Sequence, residues 1–299
     1  MERRASHLDI TEVFCDVDDF CQLFEPLLAQ MLLPEVVGQS RPKTRLTLSE
    51  IMTILIGFHG SRYRTFKDFY RLQVMPYWSK AMPNLVSYNR FVELMSYALL
   101  ALCCYFEYCC KGEVTGTSFI DSTALKVCHK NRANSHKVFA GLAEWGKSSM
   151  GFYFGFKLHL IINDYGEILN FQVTPANVDD RKVVSELTEG IVGKIFGDKG
   201  YISEKLFRQL HEKGLQLITR LKKNMKNKLM LLADKMKLRS RGIIESVNDQ
   251  LKNLCQIEHT RHRSVANFMV NLVAGMIAYT YQPEKPSLYD IEQPVYHFE

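Results

Sequence analysis

The chain has 299 residues, 46% hydrophobic and 23% charged, the balance of a globular protein and not of a disordered, collagenous or low-complexity chain. At this length it can bury one large core or two ordinary ones. Lys plus Arg number 38 against 32 Asp plus Glu, a formal charge of +6, which leans toward polyanionic partners without identifying one. The start, MERRASHLDITEVF, has no apolar h-region, so no signal peptide is expected. Eight cysteines lack both a CxxC pair and the framework of a small secreted domain, which points to a reduced, soluble, intracellular protein. CCYFEYCC (103–110) does not have zinc-finger spacing and is read as small apolar positions on a helix. The apolar runs at 94–106 and near 270–282 are each shorter than the roughly 18 to 20 residues of a membrane span, so no membrane partner is expected.

In chain order, residues 1–112 carry helical periodicity. TLSEIMTILIGFHG opens with Thr47 and Glu50 at capping-box spacing and places Leu48, Ile51, Ile54, Leu55 and Phe58 along one face. Gly57 and Gly60 predict that this helix stops soon after. TFKDFYRLQV and SYNRFVELMSYALLALCCYFEY follow across Pro76 and Pro83. With Arg62, Arg64, Lys67, Arg71 and Arg90 between and along them, these short helices suit a helix-turn-helix DNA-binding domain or, equally, a helical dimerisation domain with a solvated basic face.

Beyond Gly112 and Gly116 the pattern turns to strands: SFIDSTALKVC, a basic loop, GFYFGFKLHLIIND and EILNFQVTPAN. A helix in VDDRKVVSELTEGIV capped by Asp179 or Asp180, a strand KIFGD, a helix EKLFRQLHEKG, a strand LQLITRL and a helix from about Gly242 complete the series. Three antiparallel strands followed by alternating helices and strands predict a mixed α/β sheet with helices on its faces. The expected division is a helical domain over 1–112, a catalytic α/β domain over 113–281 and a loosely packed tail over 282–299.

Asp121 follows Phe119 and Ile120 inside a buried strand, where an ionised carboxylate needs a paired charge, hydrogen bonds or a metal. If KIFGD adds beside that strand in parallel, Asp198 reaches the same end of the sheet, where open α/β sheets place their sites. Glu245, in the first turn of RGIIESVNDQLKNL, supplies a third carboxylate. Three clustered acids repel one another, and oxygen ligands suit Mg²⁺ or Mn²⁺, two of which support phosphodiester chemistry. Ordinary roles remain open as well: a strand-end turn for Asp121, an Asp-Lys-Gly turn for Asp198, and a helix-dipole acid for Glu245.

FIDST, FGDKGY and RGIIESVNDQLK resemble the three acidic blocks of DDE transposases of bacterial insertion sequences, which have a ribonuclease-H-like core. GFYFGFKLHLIIND and VTPANVDDRK make the 982 group of those elements the nearest resemblance, over about residues 40–280. The resemblance implies that Asp121, Asp198 and Glu245 are the catalytic, metal-binding triad. It also implies that Arg241 and Lys252, four before and seven after the glutamate, are the basic members of the related YREK signature; the tyrosine position falls on Leu238. Seven residues are two helical turns, so Lys252 shares a face with Glu245 and could hold a phosphate. A run from Arg220 to Arg241, including Lys222, Lys223, Lys226 and Arg239, holds the single acid Asp234 and is read as a DNA track. Lys157 and His159 share one strand face and are expected to neighbour Asp121 across the hairpin; Asn177, with Asp179 and Asp180, is a further supporting candidate.

The resulting expectation is a transposase that cuts element ends and joins the 3′-hydroxyl to target DNA with two Mg²⁺ or Mn²⁺ ions. Its partners would be the terminal inverted repeats, target DNA and at least a second copy of itself. It would work in the bacterial cytoplasm, on the nucleoid when bound to DNA. The alternatives are a metal-dependent nuclease that only hydrolyses, and a DNA-binding protein or repressor with a decayed catalytic core.

Overall fold

The structure, a computed structural model, describes residues 8–31, 44–61, 63–148, 150–220, 230–258 and 262–289. The chain divides into two compact units, Met1–Cys110 with Gln250–Pro283, and Lys111–Asp249 with Glu284–Glu299. This differs from the boundaries expected at 112 and 281. Residues after 249 return to the helical unit because the helix Val265–Thr280 is apolar on every side, with Phe268 and Val270 through Tyr279 buried, and needs helices around it.

The helical unit contains α1 (Ile10–Met31), α2 (Leu48–Gly60) and α3 (Phe66–Phe69), which winds on as a π-helix through Trp78. It then has α4 (Tyr88–Leu94) and α5 (Leu99–Tyr105), joined by a 3-10 turn and extended by a π-helical turn to Cys110. The capping box forms as expected: Glu50 N donates to Thr47 Oγ1 at 3.1 Å and Thr47 N donates to Glu50 Oε2 at 2.8 Å. Two otherwise orphaned donors are thereby satisfied, a contribution of about 1 kcal/mol. Leu48 through His59 are all buried, not one face alone, because α1 and Val265–Thr280 both pack on α2. Gly275 lets its helix pass close by: a Cβ there would lie 2.4 Å from Ile257 Cγ2 and 3.3 Å from His59 Nδ1 of α2. Tyr88–Cys110 is one helical run of 23 residues, longer than the apolar stretch at 94–106. Its length and composition meet those of a membrane span, and within this unit its Phe91, Leu94, Ala98, Leu102 and Tyr105 are buried.

The second unit is a six-stranded mixed sheet: β1 (Thr117–Lys126), β2 (Glu144–Ser148), β3 (Gly151–Asn163), β4 (Ile168–Pro175), β5 (Gly193–Gly197) and β6 (Leu215–Thr219). The strands run in the order β2-β3-β1-β5-β6, with β4 also on β3. β1 is antiparallel to β3 and parallel to β5, and β5 is parallel to β6. The central β1 and the parallel addition of KIFGD beside it are therefore as the sequence predicts, and the mixed sheet is flanked by helices. The short strand β2 has no counterpart in the sequence expectation. EWGKS is too short and too polar to signal a strand, and it forms as the return arm of a hairpin with Gly151–Gly155.

α6 (Asp180–Leu187) and α7 (Glu204–Glu212) cover one face, where Ile120, Ile161, Val184, Leu187, Leu206 and Leu210 form the core. Asp179 caps α6 by accepting from Arg181 N at 3.0 Å. On the opposite face Phe119 meets Phe196 at 5.6 Å between ring centres. There α8 (Leu232–Arg239) is held by Lys194, whose Nζ donates to Asp234 Oδ1 at 2.7 Å. α9 (Gly242–Asn253) follows, and the chain leaves this unit along it before α10 (Val265–Thr280). The described part of the tail is better anchored than its prolines suggest: Leu288 N donates to Asp164 O and Tyr289 Oη to Asp164 Oδ2.

Candidate active site

The β1–β5 ladder places the first two acids. Phe119 lies opposite Phe196 at the end of the β1–β5 ladder, so Asp121, two residues further along β1, and Asp198, the residue just after β5, lie at the same end of two adjacent parallel strands, whose axes are about 4.8 Å apart. By strand alternation both belong to the face of Phe119 and Phe196. β5 ends at Gly197, and Asp198 begins a 3-10 turn by accepting from Gly200 N at 2.7 Å. The Asp-Lys-Gly turn of the sequence is present, and its hydrogen bond fixes the direction of the Asp198 carboxylate.

Arg241 brings in the third. It sits between α8 and α9 with Nη1 3.7 Å from Asp121 Oδ1 and Nη2 3.1 Å from Glu245 Oε1. Burial pushes the Asp121 carboxyl up to about 6; Arg241 and the Ser122 backbone amide pull it down, while Asp198 and Glu245 push it up again. All three acids thus share one electrostatic neighbourhood. The guanidinium compensates the buried carboxylate only in part, and its own buried Nη1 has no hydrogen-bond partner.

The donor chemistry fits a hard divalent cation: carboxylate oxygens, one of them short of positive charge. Among the described residues, however, no three His, Cys, Asp or Glu stand close enough to hold a metal as placed. Arg241 stands between two of the acids, so gathering them around a cation requires its side chain to leave.

Lys157 and His159 lie elsewhere than expected. The register sets Leu160 opposite Asp121, His159 opposite Ser122 and Lys157 opposite Ala124. Odd residues of β3 therefore point to the other face of the sheet. There Lys157 Nζ donates to Asp180 Oδ1 at 2.8 Å and to Val178 O at 2.7 Å, and Ser122 Oγ donates to Asp180 Oδ2 at 3.0 Å. His159 Nε2 pairs with Thr174 Oγ1 at 2.8 Å. Burial lowers this imidazole to about 4, against the pull of Asp180 and with a push from Lys157, so it is neutral at pH 7.

Tyr201 stands beside this network, its buried Oη without a hydrogen-bond partner. Its phenol is buried and raised well above the usual range by burial and then by Asp121, Asp180 and Asp198. Asp180, a supporting candidate from the sequence, does join this network, whereas Tyr201 has no signal in the sequence beyond the aromatic end of FGDKGY, because its nearness to Ser122 depends on register.

The remaining basic candidates separate by position. Lys222, Lys223 and Lys226 lie outside the described residues, as does Arg62. Arg239 is exposed at the end of α8. Lys237 is committed to the fold, donating to Thr117 Oγ1 at 2.7 Å. Lys252, two turns beyond Glu245 on α9, lies 3.5 Å from Glu258 Oε2. Leu238, at the tyrosine position of the signature, is a core residue. Asn177 is exposed in the turn after β4.

The chain matches a family described as the transposase DDE domain over residues 111–265. That span contains Asp121, Asp198 and Glu245. Among solved structures it is similar to the piggyBac transposase synaptic complex with hairpin DNA, determined by cryo-EM, at 12% identity and a TM-score of 0.48. The similarity covers 93% of this chain and 74% of that one. No curated protein matches.

Proposed function

The chain belongs to the transposase DDE domain family, and from that premise we propose that it is the DNA transposase of a bacterial insertion sequence, cutting element ends and joining the freed 3′-hydroxyl to target DNA. The observation that carries the reading is that Asp121 on β1 and Asp198 just after β5 lie at the same end of two adjacent parallel strands, with Glu245 tied to Asp121 through Arg241. We assign Asp121, Asp198 and Glu245 as ligands for two Mg²⁺ or Mn²⁺ ions. Divalent ions held by these carboxylates would supply Lewis acidity, polarising the scissile phosphate and lowering the pKa of the attacking water or hydroxyl.

The chain's own residues do the positioning. Asp121 is fixed by the central strand, and its carboxylate, raised to about 6 by burial, is a buried negative charge that added positive charge would stabilise. Asp198 is aimed by its turn. Glu245 rides on a helix and is the exposed, adjustable member. Arg241 turns from the carboxylates to a DNA phosphate, a contact its planar fork suits. Arg239, Lys222, Lys223 and Lys226 extend the phosphate track, and Lys252 adds a charge on the Glu245 helix. Lys157, His159 and Asn177 keep supporting roles on the strands and turn behind the site.

The residue resemblance favours the 982 group, terminal inverted repeats as substrate, at least a dimer when two ends are paired, and a cytoplasmic site of action on the nucleoid. The test is incubation with the flanking terminal repeats and Mg²⁺ or Mn²⁺, mapping nicks and joined products. Joined products support transposition, and nicks alone leave a nuclease. The wedged position of Arg241 favours a second reading, a DNA-binding protein that does not cut; specific end binding with no nick in either metal would establish it.

A further inference from the structure

β3 runs on past β1 and β4 as the outer arm of a hairpin with β2. Its pairs include Trp145 with Phe154 and Lys147 with Phe152, and residues paired across antiparallel strands point to the same face. Trp145 and Phe154 meet edge to face at 5.7 Å, and Lys147 Nζ lies 5.9 Å from the Phe152 ring centre. These four form one face; Gly146 and Tyr153 on the other are buried. Trp145 is 42% exposed and Phe152 59% exposed, so the aromatic face is open to solvent.

Two further observations say what covers it. From Ser122 to Asn163 there are six basic residues and the single acid Glu144. Of these, Lys126, Lys130, Arg132, Lys137 and Lys147 are exposed, and Lys130 Nζ lies 3.9 Å from where a Cβ on Gly151 would stand. A protein surface that stacked on the aromatic face would have to bury this charge, whereas a polyanion is drawn to it. The second observation is continuity with the active site. Phe152 and Phe154 alternate in step with Leu160, the partner of Asp121, so they lie on the same face of the sheet as Asp121. Phe154 is six residues from Leu160 along β3, about 20 Å.

We propose that this hairpin is a stacking platform for unpaired bases of a DNA strand leading to Asp121. Exposed rings accept the faces of unpaired bases, which a closed duplex hides, while the lysines and arginine hold the phosphates between them. The proposal rests on the DNA-processing function above and adds the strand state that the surface recognises.

The experiment uses the full chain carrying Trp78→Phe, which leaves Trp145 as its one tryptophan. At fixed salt it is titrated with single-stranded oligothymidylate and with a blunt duplex. Saturable quenching of Trp145 by the single strand is expected. Trp145→Ala, followed by a labelled oligonucleotide, and Phe152→Ala should each weaken single-strand binding about tenfold. Trp145→Phe should retain it, and duplex affinity should be unchanged in all three. Absence of quenching, or equal losses on both DNAs, overturns the platform. So does a shift of Trp145 emission with protein concentration alone, which would assign the face to a second copy of the chain. The two readings fail separately. If Asp121→Asn abolishes cutting while Trp145→Ala cuts and binds like the parent, only the platform falls. If the parent never cuts yet the single strand still quenches Trp145, the platform stands and the transposase reading falls.

Discussion

Replacing Asp121 by Asn should stabilise the cation-free protein, and by an amount that depends on pH. Burial raises the carboxyl from an ordinary 3.8 to about 6, and each unit is worth about 1.36 kcal/mol. The ionised side chain therefore costs the folded state about 3 kcal/mol as an upper figure, less for residual solvent contact at its 23% exposed side chain. Because the folded-state value is the higher one, the stabilising contribution of the protonated acid is complete below about pH 3.8 and is lost as pH rises through about 6. Asparagine resembles the neutral acid at every pH. The variant and its parent should then have similar stability near pH 4, with the variant ahead by about 2 to 3 kcal/mol at pH 8. Urea unfolding in EDTA, followed by Trp145 fluorescence in the Trp78→Phe background, reports on the sheet unit alone. A gap that stays constant with pH, or a less stable variant at pH 8, would refute the assignment of Asp121 as an undercompensated buried charge.

Glu245→Gln should abolish cutting while leaving end binding intact, measured by nick mapping beside a gel-shift titration. Arg241→Gln should move the Asp121 transition above about 6, since the guanidinium is the first group holding it down; the pH dependence of unfolding reads this directly. The same variant should weaken DNA binding and flatten its salt dependence by about one phosphate contact. Thr47→Ala should cost about 1 kcal/mol in the stability of the helical unit through loss of the capping box, and a change below the error of chemical unfolding would deny the cap that role.

The parts of this protein legible in its sequence are those fixed by local chemistry. Thr47 and Glu50 announce a helix start because their bonds span three residues. The strand-then-acid patterns of FID and FGD place Asp121 and Asp198 because both acids lie two residues beyond a phenylalanine, and a parallel ladder preserves that offset. What escaped depends on register or on distant packing. Lys157 and His159 share a face, as alternation requires, but only the pairing of Leu160 with Asp121 reveals that it is the opposite one. β2 has too few apolar residues to signal itself and exists through its partner. Helix α10 reads as a continuation of the sheet domain because nothing in VANFMVNLVAGMIAYT says which apolar surroundings it will occupy. Arg241 was legible as a basic residue near Glu245, but its position between two carboxylates follows from the turn joining α8 to α9.

The convergence of Asp121, Asp198 and Glu245 on shared cations is tested most directly by Mn²⁺ binding, measured by calorimetry on the full chain with its terminal-repeat DNA. The parent and the Asp121→Asn, Asp198→Asn and Glu245→Gln variants are compared. Each single substitution should remove or severely weaken Mn²⁺ binding, and pairs of substitutions should cost little more than either alone, as expected for ligands of one site. Mn²⁺ binding that survives unchanged in any of the three would contradict the account.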